Sequence, residues 1–361
     1  MVDIAHLKDG VLPSQAIAAL MDAGVISGAD RTRLQPASID LTLSARAWRV
    51  RASFLPSRSR TVAARLNDGL AMQEVDLSAG AVFERGCVYL VELNERVALP
   101  AALEGAANPK SSTGRIDVFV RLVTDHGVAF DEIPAGYEGP LYAEISPRTF
   151  SILAREGSSL NQLRLKCGVS RLDDGELTRL HEDTPLVDGR ADIAGGLGLS
   201  VSLAGGEGLI GWRARRHSAL IDVDKAGALD PAEYFEPIAP PKSGFIILDP
   251  DEFYILASKE ALAAPPDYAA EMTPISPGLG EFRVHYAGFF DPGFGWGEGG
   301  PNGSRGVLEV RSHDAPFVLE DGQLVARLVY ERMAERPALL YGASVSSNYQ
   351  GQGLKLSKHF R

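Results

Sequence analysis

The sequence predicts a mainly β protein built from two tandem units with a few short helices. Three observations carry this. Short stretches of alternating apolar pattern, such as "SIDLTLS", "CVYLVEL", "DVFVRLV", "PLYAEI" and "SGFIILD", are punctuated by Gly, Pro, Asp and Asn. Clear helical patterns are few. A domain-sized repeat also runs through the chain at one offset. Many short strands with turn punctuation suggest a sandwich or jelly-roll-like barrel in each unit.

The elements follow in chain order. "PSQAIAALMDAG" reads as a helix, with Ser14 placed to cap it and Gly24 to end it. The strand "SIDLTLS" begins at Ser38, and "VYLVELNERVALP" covers Val88 to Pro100. The polar cluster "NPKSSTGR", Asn108 to Arg115, interrupts the strands. After it come "DVFVRLV", the hairpin "FDEIPAGYEG", the strand "YAEI" with Glu144, and "REGSSLNQLRL".

The second half repeats this order. "FYILASKEALAAP" lies 165 residues beyond "VYLVELNERVALP", matching Tyr254 to Tyr89 and Pro265 to Pro100. At the same offset Pro274 matches Pro109, Glu309 in "VLEV" matches Glu144, and Gly322 matches Gly157. "GLSVSLA" from Gly198 resembles "SIDLTLS" at an offset of 160. A repeat this long is a duplicated domain rather than a solenoid. The expected division is a first unit over residues 1–170, a linker over 171–195 and a second unit over 196–361.

Composition narrows the class. The 361 residues are 45% hydrophobic and 23% charged, ordinary for a globular protein. A net charge of -11 argues against a grip on a nucleic-acid polymer, which needs a basic face. No apolar run approaches a membrane span, and the N-terminus lacks the apolar core of a signal peptide. The expectation is a cytoplasmic protein without a membrane partner. Cys87 and Cys167 are the only cysteines, too few for a disulfide framework or a zinc cluster.

The polar cluster points to a small anion. Its hydroxyls and glycine-turn amides can donate hydrogen bonds, and Lys110 and Arg115 can neutralise charge. It is not a Walker A loop, because its glycine comes late. A plain polar surface turn has the same composition.

The order "KSSTGR", "FDEIPAGYEG", "YAEI", "GSSLNQLRL" and "NYQGQGLKLSKHF" resembles the dUTPase and dCTP deaminase superfamily, and within it the deaminase branch. The resemblance covers most of both units and implies two dUTPase-like distorted jelly-roll or β-barrel domains. It implies deamination of dCTP to dUTP and ammonia in pyrimidine deoxynucleotide synthesis. The alternatives are dUTP hydrolysis, a bifunctional enzyme, or a nucleotide-binding protein without turnover. Glu309 and Glu144 fall at the family's catalytic position, where a single carboxylate would act as base and then acid. The nucleotide contacts implied are Lys110, Ser111, Ser112, Arg115, Asp291, Tyr341, Asn348 and Gln352.

The two copies differ in these parts. The first has the double serine and arginine, whereas the second has "PISPGLGEFR" there. The second keeps a compact "FDPGF" and is followed by "YQGQ". One arrangement is a composite site, with Ser111, Ser112 and Arg115 from the first unit and Asp291 and Glu309 from the second. The other keeps Glu144 with its own copy's serines. Zinc deaminases carry a P-C-x-x-C pair, absent here, so no zinc and no protein-built metal site is expected. The resemblance implies magnesium carried by the triphosphate. It also implies a homo-oligomer, with a trimer of fused chains favoured.

Overall fold

The computed structural model describes residues 8–205, 208–275, 282–285, 288–297, 300–312, 314–342, 349 and 351–361. It is mainly β, with short helices. The chain divides into two units. Unit 1 takes the chain up to Ser170 together with Ala219–Ala228 and Met333–Ala338. Unit 2 takes Arg171–Ser218, Leu229–Arg332 and Leu339–Arg361.

The main sheet of unit 1 runs Val118–Thr124, Glu138–Pro147, Val88–Ala98, Leu43–Val50, Ala71–Asp76. The corresponding sheet of unit 2 runs Phe282–His285, Arg305–Ser312, Tyr254–Ala261, Gly211–Ala214, Phe235–Ile238. The strands before the turns follow the same order in both. The ladders also repeat at the sequence offset. Glu144 pairs with Leu90 and Ala143 with Val91, while Glu309 pairs with Ile255 and Leu308 with Leu256. Because a one-residue slip would turn every side chain to the other face, this shared register places both glutamates on corresponding faces.

A second sheet in unit 1 runs Glu132–Ile133, Leu103–Pro109, Asn161–Cys167, Ser38–Leu41, Leu34–Gln35. Unit 2 has Leu197–Ser200, Leu324–Arg332, Tyr268–Pro274, Phe289–Phe290. "SIDLTLS" and "GLSVSLA" therefore hold like positions. The core of unit 2 is built on Leu197, Leu199, Leu256, Leu308, Leu328 and Tyr330. In unit 1, Trp48, Val50, Val62, Leu66, Leu90, Val123 and Tyr142 form one cluster. Each fully buried side chain of this kind contributes about 1.5–3 kcal/mol.

Three local details differ from the sequence reading. The first helix spans Ser14–Asp22, but Pro13 holds the cap position and Ser14 is the first helical residue. Its end matches expectation: Gly24, at φ +73°, donates to Met21 O and Val25 donates to Leu20 O, a Schellman closure. Residues 171–195, read as a linker, contain the helix Asp174–Asp183 and lie in unit 2. Asp173 accepts from the Glu176 amide while the Glu176 carboxylate accepts from the Asp173 amide, a complete capping box.

The third is a segment from the second half that completes a sheet in unit 1. Ile221–Asp222 pairs in parallel with Ile152–Ala154, which also pairs with Ala81–Phe83. The Arg155 guanidinium grips Asp222 with two bonds of 2.7 Å and reaches Asp224 at 2.8 Å. That grip holds the Asp222 carboxyl well below the usual carboxylate range. Met333–Ala338 likewise belongs to unit 1, where Gln15 donates to Glu335 and Arg336 O and accepts from the Ala338 amide.

Candidate active site

The hydroxyl cluster of unit 1 is one helical turn, Ser111–Gly114, entered from the strand Leu103–Pro109. Lys110 O accepts from the amides of Thr113 and Gly114, at 2.8 and 3.0 Å. Ser112, Thr113 and Arg115 are buried, and Ser111 and Lys110 are half-buried. A polar turn folded this far into the protein is not the open surface turn its composition also allows. Lys110 has a protein partner: its ammonium pairs with the buried Asp40 carboxylate on the strand Ser38–Leu41, and Ser159 Oγ lies 3.5 Å away. Lys110 is thus built into the base of the loop. Sequence reasoning assigned it to phosphate and missed Asp40, whose carboxylate within an otherwise alternating strand was the available signal.

The hairpin of unit 1 uses its own acid. Asp131, at φ +63°, accepts from the Leu122 amide through Oδ1 at 2.7 Å, and its carbonyl accepts from Ala107 N. Tyr137 closes the same hairpin by donating to Pro140 O at 2.7 Å, and burial pushes its phenol up to about 12.

Glu144 stands on the strand Glu138–Pro147, 7% exposed. Ser53 Oγ donates to its Oε1 at 2.8 Å, and the Phe54 amide lies 3.3 Å from Oε2. Burial pushes the carboxyl above its ordinary range; the Ser53 and Phe54 bonds and the Arg121 charge pull it partly back. Arg121 is its partner across the ladder.

In unit 2, Glu309 is 5% exposed on Arg305–Ser312, flanked in register by Ile255 and His285. Asp291 is buried in the "FDPGF" turn. Its carbonyl accepts from Phe294 N, and Gly293 N donates to Ala264 O. Gly293 sits at φ +96°, where a Cβ would lie 3.0 Å from Tyr341 O. That lets the Tyr341 backbone come close and donate to Pro292 O at 2.9 Å. The Phe294 and Tyr341 rings are 5.6 Å apart. The structure therefore brings Asp291 and Tyr341, predicted separately, onto one turn.

Gln352 is buried against the start of the Glu309 strand. It donates through Nε2 to Arg305 O at 3.0 Å and accepts at its carbonyl from Arg305 N. The tail beyond it is anchored: Phe360 packs on Tyr234 and Phe235, at 5.4 and 5.3 Å between ring centroids. Asn348 and the "SPGLGE" stretch that replaces the serine loop lie outside the described residues.

Comparison with known proteins places the chain in a family. The family model for the 2'-deoxycytidine 5'-triphosphate deaminase C-terminal domain matches residues 173–360, and that for the N-terminal domain matches 8–169. The chain belongs to the dCTP deaminase family. A crystal structure of 2'-deoxycytidine 5'-triphosphate deaminase from Agrobacterium tumefaciens is 52% identical, with a TM-score of 0.88, over 94% of this chain and 99% of that one. A dCTP deaminase, dUMP-forming, from Methanobrevibacter smithii is 34% identical over 124 residues. That match spans 33% of this chain and 59% of the relative's length.

Among the described residues, no helix is long and apolar enough to cross a membrane. No group of three or more His, Cys, Asp or Glu among them is arranged to hold a metal ion. The loop's donors are hydroxyls, amides and a guanidinium, a set that suits an anion.

Proposed function

We propose that the chain deaminates dCTP, adding water at C4 of the cytosine and expelling ammonia to leave dUTP. The observation that carries this is the buried glutamate held at one ladder position in a chain of the dCTP deaminase family. Glu309 takes a proton from water as it adds to C4, then returns it to the amine as the C4–N bond breaks. A single carboxylate can serve as base in the first step and acid in the second. Glu144 is its counterpart in unit 1.

Ser111, Ser112 and Arg115 bind phosphate, with Lys110 holding their turn through Asp40. Asp291 shapes the base-binding hairpin, and Tyr341 and Gln352 complete the nucleotide contacts, joined by Asn348 from the sequence. Magnesium arrives with the triphosphate and neutralises phosphate charge there; such ions keep water and need few protein ligands. The partner is a small nucleotide rather than a nucleic-acid polymer or a membrane. We place the activity in the cytoplasm and in a homo-oligomer, with a trimer of fused chains favoured.

The name of the Methanobrevibacter relative favours a second reading, in which dUTP is cut further to dUMP and diphosphate. Ammonium release from dCTP with magnesium, with chromatography of the nucleotides, separates the readings. Ammonium with dUTP supports the first, and ammonium with dUMP and diphosphate the second. No ammonium from dCTP refutes both.

A further inference from the structure

Both units carry the strand glutamate, but the chain treats them differently. In unit 1 each carboxylate oxygen of Glu144 faces a donor from the chain itself, Ser53 Oγ at 2.8 Å and the Phe54 amide at 3.3 Å. These donors belong to the segment between the strands Leu43–Val50 and Ala71–Asp76. The segment is fixed at several points. Phe54 packs against the cluster of Trp48, Leu90 and Tyr142. Ser57 N donates to Gly127 O, His126 N to Arg60 O, and Val62 N to Asp125 Oδ1 at 2.7 Å.

Two further features point the same way. Arg121, opposite Glu144 in the ladder, lies over the Phe119 and Phe130 rings, 5.5 and 5.0 Å from their centroids. Its charge lies beside the carboxylate that Ser53 and Phe54 already engage. The hairpin acid Asp131 is spent on the Leu122 amide. The matching segment of the second half behaves otherwise. After Gly211–Ala214, residues 219–228 leave for unit 1, where Ile221–Asp222 becomes a strand.

We infer that the glutamate position of unit 1 is closed by the chain itself. The Ser53–Phe54 turn is seated on the Glu144 carboxylate where a cytosine and its attacking water would have to lie. Glu144 is then an anchor for that turn, and the deamination chemistry proposed above is left to Glu309. This rests on the deaminase reading for its chemistry but not for its geometry.

The test uses the full chain and begins without nucleotide. Hydrogen exchange followed by mass spectrometry should show the Phe54 amide protected, and adding dCTP with magnesium should leave it so. Fast exchange in the free protein, or a change on adding dCTP, overturns the inference whether or not the protein is a deaminase. Ammonium release is then compared among folded variants. Ser53→Ala should keep kcat within about twofold, whereas Glu309→Gln should lose at least about a thousandfold. A loss of a hundredfold or more in folded Ser53→Ala overturns the inference. A wild-type protein that releases no ammonium, with Phe54 still protected, sinks the deaminase reading and leaves the closed turn standing.

Discussion

Neutralising Asp40 tests how the phosphate loop is held. The Lys110 and Asp40 side chains are 20% and 6% exposed, so most of the ion pair is out of water. At contact and an effective dielectric near 20, the gross attraction is on the order of 5 kcal/mol. Desolvation offsets part of it, but removing one partner also strands the other charge. Asp40→Asn should therefore destabilise the protein by about 2–4 kcal/mol. Lys110→Met should cost at least as much, because it strands the more deeply buried Asp40 carboxylate, whereas a lone Lys110 ammonium can swing toward water on its flexible stem. The Lys110 amide also bonds Leu160 O at 2.9 Å, so the backbone entry to the turn stays in place. The loss should appear mainly as a raised KM for dCTP, with kcat little changed, since neither side chain reaches the reacting carbon in this reading. Urea unfolding of both single variants and the double variant gives the coupling energy, and steady-state ammonium release gives the kinetic split. A coupling under about 0.5 kcal/mol would place the pair with ordinary surface ion pairs and refute the reasoning.

Three further outcomes are expected. Because burial raises the Glu144 pKa above its ordinary range, the folded protein holds that proton to higher pH than the unfolded chain. Its stabilising share is full below the unfolded value and is lost as pH rises through the folded one. The stability of Glu144→Gln relative to wild type should accordingly improve as pH rises through and above the ordinary carboxylate range, as read by urea melts; a flat difference would contradict the shift. Thr42→Val should cost about 1.5–3 kcal/mol, because it strips the 2.7 Å hydroxyl bond from the buried Glu95 carboxylate and leaves it to backbone donors, the Thr42 amide at 2.9 Å among them. Thermal melts across pH check it, and a neutral result would mean Glu95 is already protonated. Gly293→Ala should weaken the hairpin by about 1–2 kcal/mol through its positive φ alone and push Tyr341 away, raising KM for dCTP. An unchanged KM would detach Tyr341 from nucleotide binding.

The duplication was legible because strand pairing preserves spacing. The anchors 165 residues apart reappear as Glu144 against Leu90 and Glu309 against Ile255, so the sequence period became a ladder register. A signal for the helix after Asp173 was also present: "DDGE" places Asp and Glu three apart, a capping signature, though the stretch was read as a linker because it lies between the two repeat copies. What stayed hidden depends on partners distant in sequence. Lys110 meets Asp40 across 70 residues, Ser53 meets Glu144 across 91, and Arg155 meets Asp222 across 67. None of the three follows from local period or propensity, because each is set by which strands the fold lays side by side. The same separation explains why the motifs alone left both glutamates as equals. Their strands match, and so do their registers. The difference lies in a connecting segment that in unit 1 turns back onto its own glutamate and in the second half supplies residues 219–228 to the other unit. Loops escape the constraint that holds a ladder in register, so a duplicated pair can keep two corresponding strands while one connection changes what its carboxylate touches.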